Sequence, residues 1–556
     1  MKNNILLILV LLILPVYSQK QLTEVQKLTT TCKIWDFLKY YHPNVANGTF
    51  NWDEQLIEVL PKVALATTKT ELSKVYETWI NSLGTIVENL PNKDSDTLTY
   101  FYKNLDLRWI AETNTFSKKV SDQLIFIKNN RWQGDPFYVS VDREHGLAYP
   151  VTIVNELRLR ELKWSDKNLR LITLFKFWNI INYFYPYKYL MNQNWETSLI
   201  SFLPTFINVK TEGEFHDAIT AIAATLNDSH VTYYPEYEGQ KPIGSYFLPA
   251  NYKFINNKMV ITNILNDSVA KLNNIRLGDA IISIDGKKIK DFINDYRTLI
   301  AASNTAGFLK ELQYKISPFA NKTIKIELIR NKKQITSTIN LYSWNDFNRD
   351  RTSKKFAKYQ IIEDTIGYVN LVRIKNTELA NLFLTLQNTK AIVFDLRNYP
   401  LLSENDLAPY LDQNDVPFVK QTYADVHFPG RFIFEKPVKP VPTTTNITKY
   451  KGQIIVLVDE NTHSHAEWLT MYFRTVKNTT IIGSQTSGTD GGVSRYEITI
   501  PFKITFTGKG VYYPDGGETQ RIGIIPDIAV QQTIEGIQKG KDEILERAIK
   551  FIKTKQ

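Results

Sequence analysis

The chain has 556 residues, of which 43% are hydrophobic and 22% are charged. At roughly 150 residues per domain this length holds about three to four domains. The 22 prolines and 24 glycines are too few for a collagenous or low-complexity chain. The net charge of +10 is spread along the whole length without a long basic run, so we expect a solvated surface and no nucleic-acid partner.

Residues 1–18 have the pattern of a secretory signal peptide. A charged start precedes the apolar run from Ile5 to Val16, and permissive residues follow before a cleavage point ahead of Gln19. The run is too short to span a bilayer and no other stretch approaches about 20 apolar residues, so no integral membrane span is expected after cleavage. We therefore expect an exported protein that is periplasmic, at the cell surface or secreted. Cys32 is the single cysteine, which excludes an internal disulfide and a thiolate metal cluster.

An internal repeat organises the first half of the chain. Residues 30–85 match residues 173–228 at a constant offset of 143 positions without a gap. The matched residues are Trp35 and Trp178, Tyr40 and Tyr183, Pro43 and Pro186, Asn51-Trp52 and Asn194-Trp195, Leu56 and Leu199, Leu60-Pro61 and Leu203-Pro204, and Glu71 and Glu214. Apolar residues recur at helical spacing in both copies, so both are predicted to be helical around an aromatic core. Only the second copy ends in Ser229-His230.

The two copies divide the first part of the chain into two predicted domains. The first copy belongs to an N-terminal domain over residues 19–165, in which runs such as Gln123 to Lys128 have the composition of strands. The second copy, with Ser229-His230, occupies residues 166–236.

Two further domains are predicted after the repeat. Short β runs and the turn formers Asp285-Gly286 indicate a compact β-rich domain over residues 237–345. Strands alternate with helices over residues 346–556, interrupted by a proline-containing loop at 415–445, which indicates an α/β domain with a parallel component. The predicted fold class is therefore multidomain α/β.

Ser464 is the first candidate for chemistry. It follows the predicted strand from Ile454 to Asp459 and directly precedes a predicted helix, where backbone N–H groups are free to hold an oxyanion. The alternative is that Ser464 caps the helix, in which case Glu467 would complete a capping box. The glycines of an α/β-hydrolase elbow are missing.

Four sequence motifs, one of which contains Ser464, follow one another along the second half of the chain. They are Val393-Phe394-Asp395-Leu396-Arg397-Asn398, Ser464-x-Ala466-Glu467, the stretch at 481–488, and Gly523-Ile524-Ile525-Pro526-Asp527. Together with the PDZ-like signature Leu277-Gly278-Asp279, they resemble the tail-specific, or C-terminal processing, serine peptidase family and its tricorn-type branch. The resemblance covers residues 170–535. It implies a PDZ domain at 237–345 and a crotonase-like ββα catalytic domain at 346–556.

The resemblance also implies roles for individual residues. Ser464 corresponds to the nucleophile, and His230 corresponds to the general base of the tricorn-type branch, with Ser229 helping to orient it. The lysine base of the processing branch would fall on Thr489. The family's orienting acid falls on Gln520, so the acid is either absent or supplied by Glu518. The resemblance implies that no cofactor is required. It also implies that the substrates are proteins or peptides, bound through their C-termini.

The oxyanion hole departs from the family pattern. Tyr399-Pro400-Leu401 replaces the glycines after the D-L-R-x-N strand end, and Pro400 has no N–H to donate. We therefore expect the hole to be formed by the His465 N–H with the backbone of a neighbour such as Tyr399 or Leu401.

Three other interpretations are a metal site, a binding or scaffold protein, and a cell-wall hydrolase. His463 and His465 flank the serine, but no zinc-binding spacing accompanies them, so no metal is expected. The changed acid and Pro400 leave open a binding or scaffold protein that keeps the fold with weak or no turnover. A cell-wall hydrolase has no separate support in the sequence.

Overall fold

The computed structural model describes residues 21–88, 94–144, 147–156, 163–235, 244–347, 358–444, 447–499 and 502–554. The predicted signal peptide lies outside these ranges. The chain divides into two compact units, one formed by Met1–Pro91 with Leu107–Trp132 and the other by Asn92–Asp106 with Gln133–Gln556. We call them the helical unit and the large unit. The predicted fold class, a multidomain α/β protein with a helical N-terminal region and β-rich sheets, is confirmed. Among the described helices, none is both long and apolar enough to cross a membrane.

The helical unit contains the first copy of the repeat. Its helices are Glu24–Tyr41, Pro43–Ala46, Trp52–Leu65, Lys69–Ser82 and Lys118–Asn129, with a 3₁₀ turn at Arg108–Ala111. Two buried tryptophans exchange hydrogen bonds at its centre: Trp35 Nε1 donates to the Trp52 carbonyl at 3.0 Å, and Trp52 Nε1 donates to the Trp35 carbonyl at 2.9 Å. Trp79 stacks on Trp52 with ring centroids 5.2 Å apart. The predicted aromatic core is therefore present in this copy.

One strand expected in this unit is a helix. The prediction of a strand from Gln123 to Lys128 is wrong, because these residues lie within the helix Lys118–Asn129. The Ser117 side chain caps this helix by accepting a hydrogen bond from the Val120 N–H at 3.2 Å. Val120, Leu124 and Ile127 are buried, and their spacing of three to four residues is helical.

The second copy of the repeat lies in the large unit. Its helices are Lys167–Phe184, Trp195–Asn208 and Glu212–Ala224, with a 3₁₀ turn at Lys188–Leu190. The tryptophan exchange recurs here, since Trp178 Nε1 and Trp195 Nε1 each donate to the other residue's carbonyl at 2.9 Å. The same short-range pattern therefore builds the same local structure twice.

A β-rich module follows in the large unit. Its sheet has the order Lys333–Asn340, Thr323–Arg330, Ala280–Ile284, Lys258–Ile264 and Ala250–Ile255, and Lys287–Lys288 pairs with Ala280–Ile284. The helices of the module are Asp267–Leu272, Ile289–Tyr296 and Thr305–Ile316. The strand Ala250–Ile255 is at the edge of the sheet. Asp285 and Gly286, with φ of 48° and 82°, form the hairpin turn that the sequence predicts.

A second sheet of six strands carries the C-terminal half of the large unit. Its order is Tyr359–Ile362, Ile366–Asn370, Ala391–Asp395, Gln453–Val458, Thr479–Gly483 and Ile528–Ala529, and only the first pair is antiparallel. The helices Leu379–Leu386 and His465–Phe473 cover one face, and Glu543–Thr554 covers the other. Shorter helical segments are Trp344–Phe347, Leu371–Arg373, Asn376–Glu378, Glu404–Leu407 and Ile534–Gln538. The parallel strands all end at one edge, which is where a ligand or substrate site is expected in such a sheet.

Smaller sheets join distant parts of the large unit. One has the order Thr99–Phe101, Phe432–Phe434, Lys420–Ala424 and Gly510–Tyr512, and another has the order Val493–Thr499, Phe502–Thr507 and Tyr233–Tyr234. Short pairs form between Val139–Ser140 and Thr152–Ile153, between Arg143–Glu144 and Leu147–Ala148, and between Tyr246–Phe247 and Tyr342–Ser343.

The interpretation of residues 415–445 as a loop is therefore wrong in part. Two strands interrupt it, Lys420–Ala424 and Phe432–Phe434. They are rich in Thr, Tyr, Phe and Ile, which favour strands, and the prolines of the segment all lie outside them.

Candidate active site

Ser464 lies on a sharp turn between a strand and a helix. The strand Gln453–Val458 ends six residues before it, and the helix His465–Phe473 begins immediately after it. Its backbone has φ of 53° and ψ of −121°, a conformation that a residue with a side chain rarely adopts. The Ser464 N–H donates to the Thr489 carbonyl at 2.8 Å, which fixes the turn. Strain of this kind, held by surrounding hydrogen bonds, is typical of functional sites.

Glu467 holds the turn from inside the protein. Its Oε2 accepts hydrogen bonds from the Ser464 N–H at 3.2 Å and the Thr489 N–H at 2.9 Å. Its Oε1 accepts from the Gly488 N–H at 2.8 Å and from the Thr486 hydroxyl. The carboxyl is fully buried, and burial raises its pKa to about 7. The Glu467 contact expected of a capping box is thus part of a larger network that joins the serine turn to the 486–489 loop.

His230 reaches the same region from the second copy of the repeat. Its ring centroid lies 6.0 Å from that of His463, the residue before Ser464. The side chain is 9% exposed, and its Nδ1 lies 2.9 Å from Thr507 Oγ1. Burial lowers the pKa of His230 from its ordinary value, although the charge of Asp228 acts in the opposite direction. The imidazole is therefore neutral near pH 7, in the form that accepts a proton.

Asp228 is the charged group behind His230. It is fully buried, and its Oδ1 accepts from the His230 backbone N–H at 3.0 Å and from the Thr489 hydroxyl at 2.9 Å. Its Oδ2 accepts from the Thr507 N–H at 2.9 Å. Thr507 thus joins His230 Nδ1 to the Asp228 carboxylate. Neither Asp228 nor Thr507 is assigned a role from the sequence. Only Asp228 could have been found from the sequence, because it stands two positions before His230.

The two residues considered for the orienting acid lie in different places. Gln520 is buried beside Asp228, and its Nε2 lies 3.3 Å from Asp228 Oδ1 and 3.4 Å from Ser303 Oγ. Glu518 instead accepts a hydrogen bond from the Tyr189 hydroxyl at 2.6 Å, and its carboxylate lies 3.7 Å from Lys103 Nζ. The structure therefore brings Gln520, and not Glu518, into the network around His230.

Ser229 binds the β-rich module. Its N–H donates to Ser303 Oγ at 3.0 Å, and its Oγ accepts from the Ser303 N–H at 3.0 Å. Ser303 also donates to Thr489 Oγ1 at 3.0 Å. This exchange fixes the segment that carries His230 against the loop before the helix Thr305–Ile316.

The oxyanion region contains a side chain that the sequence did not assign to it. His465 is the first residue of its helix, so its N–H has no partner within that helix. Tyr399, in the loop after the strand Ala391–Asp395, is 52% exposed. Its ring centroid lies 5.9 Å from those of His463 and His465. Leu401 is 65% exposed. The Tyr399 ring therefore lies beside the two residues that flank the candidate nucleophile.

A second buried carboxyl lies close to Glu467. Asp490 is 4% exposed, and its Oδ1 accepts from the Gly491 N–H at 2.7 Å. Burial, with a smaller contribution from the charge of Glu467, raises the pKa of Asp490 well above its ordinary value. Burial therefore favours the neutral form of the Asp490 carboxyl.

The β-rich module contacts the loop that leads to Ser464. Lys253, on the edge strand, lies 2.7 Å from Asp459 Oδ2 and 2.9 Å from Glu460 Oε1. A cavity of about 360 Å³ lies between this strand, the helix Thr305–Ile316 and the loops at Glu460 and Ser484. A groove beside an edge strand thus reaches Glu460, in the loop that leads to Ser464.

The two histidines that flank Ser464 lie in different surroundings. The His465 Nε2 lies 2.9 Å from the Leu402 carbonyl oxygen, and burial lowers the pKa of His463 to about 3. Within the described ranges no group of three His, Cys, Asp or Glu side chains is arranged to hold a metal ion.

Comparisons with known proteins bear on this arrangement. Residues 365–530 match the family model of peptidase family S41. A comparison with curated proteins finds no match. Among solved structures, mature CPAF complexed with lactacystin is 13% identical, with a TM-score of 0.54 over 70% of this chain and 99% of that one. A second structure of mature CPAF is 12% identical, with a TM-score of 0.53 over 69% of this chain and 98% of that one.

These comparisons support two statements. At such low identity the likeness to CPAF is a likeness of fold. The match to the model of peptidase family S41 covers residues 365–530 and includes Ser464.

Proposed function

We propose that this protein is an exported serine peptidase that cleaves peptide bonds through an acyl-enzyme on Ser464. The observation that carries the proposal is the strained Ser464 at a helix N-terminus inside the peptidase family S41 match, with the His230 ring beside the same loop. A hydroxyl nucleophile, a neutral imidazole and an N–H donor for the developing oxyanion are the parts that acyl transfer requires.

His230 is the general base in this mechanism. It takes the proton from Ser464 Oγ as that oxygen attacks the peptide carbonyl carbon, and it then gives the proton to the departing amine. The same imidazole takes a proton from water in the second half-reaction, which releases the new carboxyl terminus and restores the Ser464 hydroxyl. Asp228 stabilises the imidazolium by its charge, and Thr507 fixes the ring through Nδ1, so both are positioning residues.

The β-rich module serves as a PDZ-type domain that presents the C-terminus of the substrate. Two observations support this role. The strand Ala250–Ile255 is an edge strand, so a peptide can add to it by main-chain hydrogen bonds. The cavity beside that strand continues to Glu460, four residues before Ser464. A peptide in the groove is therefore directed towards the nucleophile.

Covalent labelling tests the proposal. The purified mature chain is treated with a fluorophosphonate, and the adduct is located by intact mass and peptide mapping. We expect one adduct on Ser464, because the reagent reacts with activated serines. Ser464→Ala should abolish the adduct, whereas Ser484→Ala, which changes a serine that lines the neighbouring cavity, should label normally.

The opposite result has a defined meaning. A folded wild-type chain that forms no adduct across several reagents and pH values would contradict the proposal. It would favour a binding or scaffold protein that keeps the peptidase fold, as the replacement of the orienting acid by Gln520 suggests.

A further inference from the structure

The segment from Leu396 to Leu402 is fixed to the chain on both sides of Ser464. At its start, the Leu396 carbonyl accepts a hydrogen bond at 2.8 Å from the hydroxyl of Thr462, two residues before the serine. At its end, the Leu402 carbonyl oxygen lies 2.9 Å from Nε2 of His465, the residue after the serine. The segment therefore has a defined position beside the candidate nucleophile.

The segment ends in two buried residues that alternate with two exposed ones. Pro400 and Leu402 are buried, and Leu402 packs in the core under the helix that begins at His465. Tyr399 and Leu401 are exposed. The buried residues anchor the segment, and the two large apolar side chains between them are held at the surface.

This exposed pair lies next to the serine turn. The Tyr399 ring centroid is 5.9 Å from those of His463 and His465, which flank Ser464. Leu401 directly precedes the residue whose carbonyl oxygen contacts His465. Consecutive Cα atoms are about 3.8 Å apart, so a substrate side chain one or two residues from the attacked carbonyl reaches a similar distance from the nucleophile. The pair is therefore within reach of the residues on either side of the scissile bond.

The charged side chain of the segment is engaged elsewhere. Arg397 Nε and Nη2 donate to the two oxygens of Asp395 at 2.9 and 2.7 Å. Its Nη1 and Nη2 donate to the two oxygens of Asp542, each at 2.8 Å. Two carboxylates thus hold the guanidinium, and the segment presents mainly the Tyr399 ring and the Leu401 side chain beside Ser464.

We propose that Tyr399 and Leu401 determine specificity, by packing against an apolar side chain of the substrate at a position that flanks the scissile bond. The proposal rests on the serine peptidase function and names the class of bond that is cleaved. Binding of an apolar side chain removes the exposed surface of the pair from water, which is favourable. A polar side chain at the same position loses hydration without gaining a hydrogen bond. Bonds next to Leu, Phe or Met are therefore cleaved in preference to bonds next to Ser or Asp.

Digestion of a peptide library locates the position. The purified mature chain is incubated with random-sequence peptides, and mass spectrometry identifies the residues on each side of every cleaved bond. We expect Leu, Phe and Met to be enriched at one of the two positions on either side. Two fluorogenic peptides that differ only there, one with Leu and one with Ser, then give a ratio of kcat/KM values.

Leu401→Ser and Tyr399→Ser are the variants that test the pair. Each keeps the backbone N–H and replaces an exposed apolar side chain, so thermal unfolding should change little. In each variant the kcat/KM of the Leu peptide over that of the Ser peptide should fall roughly 10-fold, as expected for loss of one apolar contact. Because the ratio is taken within one variant, a general loss of turnover cancels.

Leu384→Ser is the matched control. Leu384 is 64% exposed, compared with 65% for Leu401, and it lies on the helix Leu379–Leu386. This variant should keep the wild-type ratio.

The outcomes separate the two proposals. If the wild type labels at Ser464 with a fluorophosphonate but has no apolar preference, or if both variants keep the wild-type ratio, the specificity role is overturned and the peptidase proposal stands. If the variants keep the ratio but change the oligomeric state in gel filtration, the pair is an interface between copies of the chain, which also overturns the role. If the wild type neither labels at Ser464 nor cleaves any peptide, both proposals fail.

Discussion

The two copies of the repeat have nearly the same scaffold and different ends. The reciprocal hydrogen bonds of Trp35 with Trp52 recur between Trp178 and Trp195. In each copy, a residue with positive φ follows the last helix at the corresponding position. In the first copy this residue is Gly84, with φ of 92°. In the second copy this residue is Asn227, with φ of 52°. Up to this turn, similar sequence gives similar structure.

The difference begins one residue later. The first copy continues with Thr85, Ile86 and Val87, and Val87 is 76% exposed. At the corresponding positions the second copy has Asp228, Ser229 and His230, of which His230 is 9% exposed. Three residues that follow a common turn therefore determine which copy supplies candidate catalytic groups.

Substitution of the terminal residue in each copy gives the largest expected contrast. His230→Ala should lower kcat by roughly 10³-fold or more, because the general base is lost. Val87→Ala, at the corresponding position of the first copy, should leave kcat unchanged. Both variants are assayed on labelled casein after their folding is checked by circular dichroism. Full activity in His230→Ala would remove His230 from the mechanism.

The carboxylate two positions earlier should have a smaller effect. Asp228→Asn removes the charge that stabilises the imidazolium, so we expect kcat to fall by roughly 10²-fold. Thr85→Asn is the matched variant in the first copy and should be neutral. The pH–rate profile gives an independent readout.

The direction of the pH shift follows from the charges. Activity rises with pH as His230 loses its proton, and the Asp228 charge raises the pKa of His230. Without that charge the pKa of His230 falls, so the acid limb of kcat/KM should move to lower pH in Asp228→Asn. A limb that stays in place or moves to higher pH would show that Asp228 does not act on the catalytic base.

The tryptophan pair that both copies of the repeat share gives the smallest expected difference between them. Trp52→Phe and Trp195→Phe each remove one buried indole N–H bond and some volume, so each should lower the free energy of unfolding by about 1–3 kcal/mol. Only Trp195→Phe should also lower kcat, by a few-fold, because that copy positions His230. Equal activity losses in both variants would indicate that the first copy also supports catalysis.

Much of the fold follows from local sequence signals. The gapless repeat predicts both helical copies, and the strand before Ser464 with the helix after it is present as expected. The segment from Gln123 to Lys128 shows the limit of composition. It contains strand-forming residues, but only Leu124 and Ile127 of them are buried, at the spacing of a capped helix, while Phe126 is 39% exposed. The two strands within residues 415–445 were missed because each is short and pairs with distant segments of chain.

The sequence by itself determined the repeat, the fold class, the position of Ser464 at a helix start and the asymmetric end that carries His230. The tertiary structure decided which groups surround these residues. Thr507 binds His230 Nδ1 from 277 residues away, and Asp228 accepts from Gln520 across 292 residues. The Tyr399 ring, after a different strand of the same sheet, lies 5.9 Å from the rings of the two histidines that flank Ser464. Local propensity acts over a few residues, whereas the partners of a buried polar side chain depend on which distant segments the fold brings within hydrogen-bond distance.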